Sequence, residues 1–169
     1  DTLRQLGPRI GTPSGIQSHL RMPLDDFARL NAALPQPIGA DGGIVQTLRL
    51  VKSDAEIEKI RAACQIANRA FLRTPEIARA GVPLERVYRG FQRRGLDEGG
   101  GGVPYLTGSA APGDYGDVIS PADDRPLAVG DVLMLDTGLV HEGYFCDFDR
   151  NFAVGDVGAE VNIAHSTLI

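Results

Sequence analysis

The 169-residue chain has no tryptophan and only two cysteines, Cys64 and Cys146, which form no Cys-x-x-Cys pair. A disulfide framework is thereby excluded, and two isolated thiols, each read as a small buried apolar side chain, suit a reducing, cytoplasmic compartment. No stretch approaches the roughly 18 consecutive apolar residues of a membrane span, so no membrane partner is expected. There is no basic run and the net charge is −5, which argues against nucleic acid. Histidine is scarce: His19, His141 and His165 are the only three, and none lies between Arg73 and Asp136. The chain opens on Asp1 without an initiator Met and stops at Ile169 in what reads as the start of a helix, so we expect a piece of a longer protein. What is present, 43% hydrophobic and 23% charged residues, is the composition of a globular protein.

Residues 1 to about 50 read as the tail of a separate domain. Pro8 to Gly11 suggests a short strand running into the turn-rich GTPSG. Asp25 to Leu34 carries Phe27, Leu30 and Leu34 at helical spacing, and Pro35 stops it. Val45 to Val51 is expected as a strand or extended linker, and His19 as an exposed loop histidine.

A helix begins at Ser53, where Ser53 and Glu56 have the spacing of a capping box. Ile57, Ile60, Cys64, Ala67 and Phe71 then form one apolar stripe. Thr74-Pro75 restarts a short helix closed by Gly81. Pro83 and Leu84 open another, with Leu84, Val87, Tyr88 and Phe91 inward and Arg86, Arg89, Arg93 and Arg94 mostly outward. A solvated helix face is the preferred reading of those arginines and an anion site the other. Gly99 to Gly102 lacks the spacing of a phosphate loop and reads as a flexible connection. Val103 to Gly108 resembles a strand, and Ser109 to Leu127, rich in proline and aspartate, a long loop.

That loop leads into the stretch on which the chain is organised, Gly130 to Gly155. Val132 to Leu135 is a continuous apolar run, and Tyr144 to Val154 alternates. Phe145, Asp147, Asp149 and Asn151 share one face; Tyr144, Cys146, Phe148, Arg150 and Phe152 share the other. A turn at His141-Glu142 sets Asp136 directly opposite Asp147, with Cβ atoms roughly 5 Å apart. Two carboxylates at that distance repel by about 3 kcal/mol at an effective dielectric of 20. Solvated strand-end aspartates are the bland alternative, but the flanking apolar residues favour a cation between them. Asp149 lies on the same face as an acceptor or cation partner, and Arg150 braces the strand from the other.

VKSDAEIEKIRAAC, followed by GDVLMLDTG and GYFCDFDRNFAVG, resembles the superfamily of aminopeptidase P, prolidase, methionine aminopeptidase and creatinase. The likeness runs from about Arg9 to Gly155, and the eleven-residue step from Asp136 to Asp147, with Gly-Asp before it and Arg150 and Gly155 after, is a specific signature. The fold it implies is α+β: residues 46–169 as the first half of a pita-bread catalytic domain, residues 1–45 as the end of an N-terminal creatinase-like domain. It further implies that Asp136 and Asp147 are metal ligands for two divalent ions, manganese before cobalt or zinc. A peptide or small amide is the implied substrate and a homodimer the implied assembly.

Two departures qualify this. The remaining ligands of the family, a histidine in an HGxG-like motif and two glutamates, belong to a second half-domain that these residues lack, and His165 is not that histidine. The histidine that peptidases of the group carry upstream of the Gly-Asp is also missing. Val118 or Ile119 stands near its place, with Tyr115 as a substitute hydrogen-bond donor. Catalytic residues beyond the ligands are not assigned. Three readings follow: a metal-dependent Xaa-Pro peptidase, preferred; a hydrolase of small C–N bonds, as creatinase and ectoine hydrolase are; and a non-catalytic pita-bread binding module. The half-domain alone is expected to be inactive and to expose apolar surface around Val132, Met134 and the helix stripe.

Overall fold

A computed structural model describes residues 9–112, 117 and 119–168. The chain divides into two compact units, residues 1–54 and 55–169. In the first, β1 (Gly11–Thr12) pairs in parallel with β2 (Gly39–Ala40), and two helices follow the strands in turn: α1 (Leu24–Ala32) and α2 (Ile44–Leu50). The expected strand thus lies inside GTPSG rather than before it; of its expected residues, Pro8 falls outside those described. Gly11 packs on the backbone of Asp41, where a Cβ would stand 2.9 Å from the Asp41 Cα.

The segment Val45 to Leu50 is helical, and only Val51 is extended. The reason is Asp41. Its carboxylate accepts from the Gly43 and Val45 amides at 2.9 and 3.0 Å, satisfying donors that a helix start leaves open. Those two bonds, Val45 first, hold the Asp41 carboxyl below its ordinary range.

The second unit opens on α3 (Asp54–Leu72), a 3₁₀ turn (Thr74–Glu76) and α4 (Leu84–Asp97). Four strands follow: β3 (Gly102–Ala111), β4 (Val132–His141), β5 (Tyr144–Phe145) and β6 (Phe148–Ala153). The last element is α5 (Ala159–Leu168). Strand β4 is central: it pairs antiparallel with β3 along one edge and with β5 and β6 along the other. Alternation assigns its side chains to two faces. Leu133 and Leu135 join the core built with Phe71, Val87 and Phe91, where the Phe71 and Phe91 ring centroids are 4.6 Å apart. Burying one such ring is worth about 1.5–3 kcal/mol. Met134 and Asp136 occupy the opposite face.

The apolar stripe of α3 is only partly the expected one. Ala67 and Phe71 are buried, but the burial runs through Ala63, Ile66 and Ala70 and starts a turn later, leaving Ile57 40% exposed. Inward residues of α4 are Leu84, Val87, Tyr88 and Phe91, as expected. The expected apolar exposure at the sheet is absent: Val132 and Met134 are 8% and 7% exposed. The glycine run is fixed rather than free, because Gly100 and Gly101 donate to the Gly95 and Val140 carbonyls at 2.9 and 2.7 Å. Strand β3 starts at its last glycine and continues to Ala111, shortening the expected loop.

One ion-pair cluster joins the helix ends. Glu98 accepts from Arg69 Nε at 2.8 Å and Arg73 Nη1 at 3.1 Å. These bonds, Arg69 first, lower the Glu98 pKa from its ordinary value of 4.5. A lowered carboxylate stabilises the fold fully above the unfolded value and loses that contribution as pH falls through the folded one. Thermal melts from pH 6 to 3 are expected to show a smaller acid-induced drop in Tm for Glu98→Gln than for the parent, with the variant less stable at pH 6.

Candidate metal site on the open face of the sheet

Glu142 and Gly143, with φ of 47° and 83°, form a two-residue turn between His141 and Tyr144. Positive φ at both central residues gives the hairpin the twist its strands need; Gly143 adopts it freely and Glu142 under strain. The turn lies one residue later than the sequence suggested, so the register moves by two. Asp136 faces Asp149, not Asp147. A two-residue shift preserves the face, however. Asp136, Asp147 and Asp149 therefore still share one side of the sheet. Asp147 stands in the gap between β5 and β6, diagonal to Asp136.

What holds the two carboxylates together is a residue from the other edge. The Tyr105 hydroxyl, on β3, donates to Asp147 Oδ1 in a short hydrogen bond and lies 3.3 Å from Asp136 Oδ1. A phenol has one proton, so it donates to one oxygen at a time, and the geometry favours Asp147. The hydroxyl thus tethers the two carboxylates through one oxygen of each. Burial, then the bond to Asp147 and the nearby charges, raise the Tyr105 pKa and keep the proton on the phenol. Its ring packs against Phe145 with centroids 5.9 Å apart. Register with β4 places it, opposite Gly138, and a strand this far along the chain gives no local sign of that pairing.

The carboxylates open into a cavity of about 760 Å³. Asp136, Asp147 and Asp149 supply its acidic lining, Ile119 and Met134 an apolar wall, and Asn151 an amide. Arg150 also reaches this lining, but its guanidinium carbon lies 5.0 Å from the Phe148 ring and 5.8 Å from that of Phe71. It braces β6 on the helix side, as expected. Near the place of the missing upstream histidine, Ile119 is 74% exposed. Val118 and Tyr115 lie outside the described residues.

Ionised carboxylates are acceptor-only oxygen donors, suited to hard divalent ions. Asp136 and Asp147 fit that chemistry as part of a ligand set: two oxygens converge within reach of one hydroxyl. Among the described residues no group of three or more histidine, cysteine, aspartate or glutamate side chains converges in this way. Asp149 shares the cavity without joining the pair.

Comparison with known proteins shows the family and the fold. Residues 58–168 match the family model described as metallopeptidase family M24. A probable dipeptidase PepE of Mycobacterium tuberculosis is 27% identical over 126 residues, 74% of this chain and 33% of that protein. The structure of an X-Pro aminopeptidase from Thermotoga maritima superposes with a TM-score of 0.71 at 29% identity, covering 86% of this chain and 41% of that one. An Xaa-Pro dipeptidase from Bacillus anthracis gives 0.73 at 24% identity over the same shares, a likeness of fold. The chain thus spans between a third and about two fifths of these proteins' length. Its mixed helix-and-sheet architecture is that of the pita-bread structures, and with the family model covering most of its residues, the chain belongs to metallopeptidase family M24.

Proposed function

We propose that the full-length protein is a metal-dependent peptidase that cleaves the bond before proline at a peptide's N-terminus, with Asp136 and Asp147 as two of its metal ligands. The observation that carries the reading is the convergence of these two carboxylates on the open sheet face, beside a cavity large enough for a dipeptide. The names of the similar proteins, a dipeptidase and an X-Pro aminopeptidase, support it. When bound, divalent ions supply Lewis acidity toward a carbonyl and lower the pKa of water. Hard oxygen donors favour manganese over cobalt or zinc for this role.

The chain's own residues do the rest. Asp136, on the doubly paired strand, is the rigid half of the pair; Asp147 is aligned to it by the Tyr105 hydroxyl. Ile119 and Met134 give one side of the cavity an apolar wall that suits a ring such as proline. Asp149 and Asn151 offer an acceptor and an amide to a substrate's amino end. The free thiols of Cys64 and Cys146 accord with a cytoplasmic setting.

Ile119 also favours a second reading, hydrolysis of a C–N bond in a small non-peptide amide, because an apolar side chain replaces a hydrogen-bonding one at the cavity wall. Incubating the manganese-loaded full-length protein with Xaa-Pro dipeptides, Xaa-Pro-initiated peptides and small amides separates the two. Release of the residue preceding proline is the expected result. Turnover of small amides alone would overturn the peptidase assignment, and turnover of neither would point to a binding module.

Tyr105→Phe tests the alignment role. Losing an outer partner of a metal ligand costs about 10–100-fold in affinity. Because this hydroxyl touches both carboxylates only at an exposed rim, we expect about tenfold weaker manganese binding by calorimetry, with the fold intact.

A further inference from the structure

On the side of α4 turned away from the sheet, five arginines line one cavity of about 460 Å³. They are Arg73, Arg86, Arg89, Arg93 and Arg94, and Asp97 is the single carboxylate among the lining residues. Helical spacing makes the stripe, with Arg86, Arg89 and Arg93 at steps of three and four around Gly90. Gly90 lets Ile77 lie against the helix, its Cδ1 2.9 Å from where a Cβ would stand, which leaves the floor of the cavity without a polar side chain.

Two of the arginines are built into the wall. Arg94 Nη2 bonds Glu76 at 2.9 Å and its Nη1 the Gly90 carbonyl at 3.3 Å. Arg73 is held by Glu98 at 3.1 Å and Glu76 at 3.5 Å. Arg94 Nε is buried with no hydrogen-bond partner among the described residues. Of the other three, two are uncommitted. Among the described residues Arg86 and Arg93 make no ion pair, and Arg89, 75% exposed, reaches Glu85 only at 3.5 Å. Like charges at this spacing destabilise a helix. A chain of net charge −5 thus gathers unneutralised guanidiniums around one hollow.

We propose that this cavity binds a small polyanion carrying two or more phosphate groups. Guanidinium forks match phosphate oxygens in bidentate pairs, which Arg86 and Arg93 are free to supply, while Arg73 and Arg94, fixed by Glu76 and Glu98, add positive charge to the wall. The hollow exceeds one phosphate, and its lining is confined to α4 and the two ends of the 3₁₀ turn, which favours a compact ligand over nucleic acid. The site lies on the helix layer, so it is separate from the carboxylates of the open face.

Calorimetric titration of the metal-free, full-length protein with tripolyphosphate at low salt tests this; removing metal keeps the probe from being chelated at the carboxylates. One-to-one binding is expected, weakened at least about tenfold by Arg86→Glu or Arg93→Glu. Arg93→Lys should weaken it too, since charge is kept but the fork is lost. Thermal melts confirm that these surface variants fold. ATP binding tighter than tripolyphosphate would identify a nucleoside polyphosphate as the source, and equal or weaker binding an inorganic one. No binding at millimolar probe, unchanged affinity in the Glu variants, full retention in Arg93→Lys, or tighter binding of a single-stranded oligonucleotide would each overturn the proposal.

Discussion

Asp136→Asn is expected to lower manganese affinity of the full-length protein by more than about a hundredfold. Loss of an outer partner to a ligand already costs about 10–100-fold, and this change removes a charged donor itself. The apo fold is expected to keep its Tm, or gain slightly. Asp136 neighbours Thr107 on β3 and Asp149 on β6, so neutralising it removes a like-charge neighbour while leaving an oxygen near the Tyr105 hydroxyl. Calorimetric titration with manganese reads the first half and an apo thermal melt the second. Normal binding, or an unfolded apo protein, would make the pair structural and remove the main support for the peptidase proposal.

Gly138→Ala is expected to cost the fold about 3 kcal/mol or more, the scale at which overpacking has no side-chain escape. A Cβ there would lie 1.7 Å from the Cys146 carbonyl oxygen and 2.5 Å from Phe145 Cζ. The ring can turn away, but the carbonyl belongs to the backbone just before Asp147. Relief of the clash therefore moves the carboxylate. Where the variant stays folded in urea titrations, its metal affinity should fall as well, although residue 138 is no ligand. A Tm within a degree of the parent would show that the strands separate there at no cost.

Much of this was legible because a strand has a period of two. The alternation in Tyr144 to Val154 assigned Asp147, Asp149 and Asn151 to one face and Arg150 to the other, and a register error of two residues left that assignment intact. The error itself came from the turn. Glu142 takes a positive φ that its side chain gives no reason to expect, although Gly143, free to adopt positive φ at the second central position, favours Glu142-Gly143 over His141-Glu142. Tyr105 was not legible at all, because its role depends on pairing with Gly138, thirty-three positions away in the chain. In α2, β-like composition lost to a single capping aspartate. The α3 stripe was misplaced by a turn because alanines, which carry little apolar surface, are buried with Leu139 of the sheet and with Cys146.

The gap between β5 and β6 gives the two carboxylates different clocks. Asp136 rides on a strand bonded along both edges, whose amides exchange with solvent only when the sheet as a whole opens. Asp147 sits where the ladder is interrupted, so its amide needs at most a local opening of a few residues. In deuterium the Asp147 amide should therefore exchange well before that of Asp136. Manganese binding to the full-length protein is therefore expected in two kinetic phases, with only the second, in which Asp147 would come into place, changed by Tyr105→Phe.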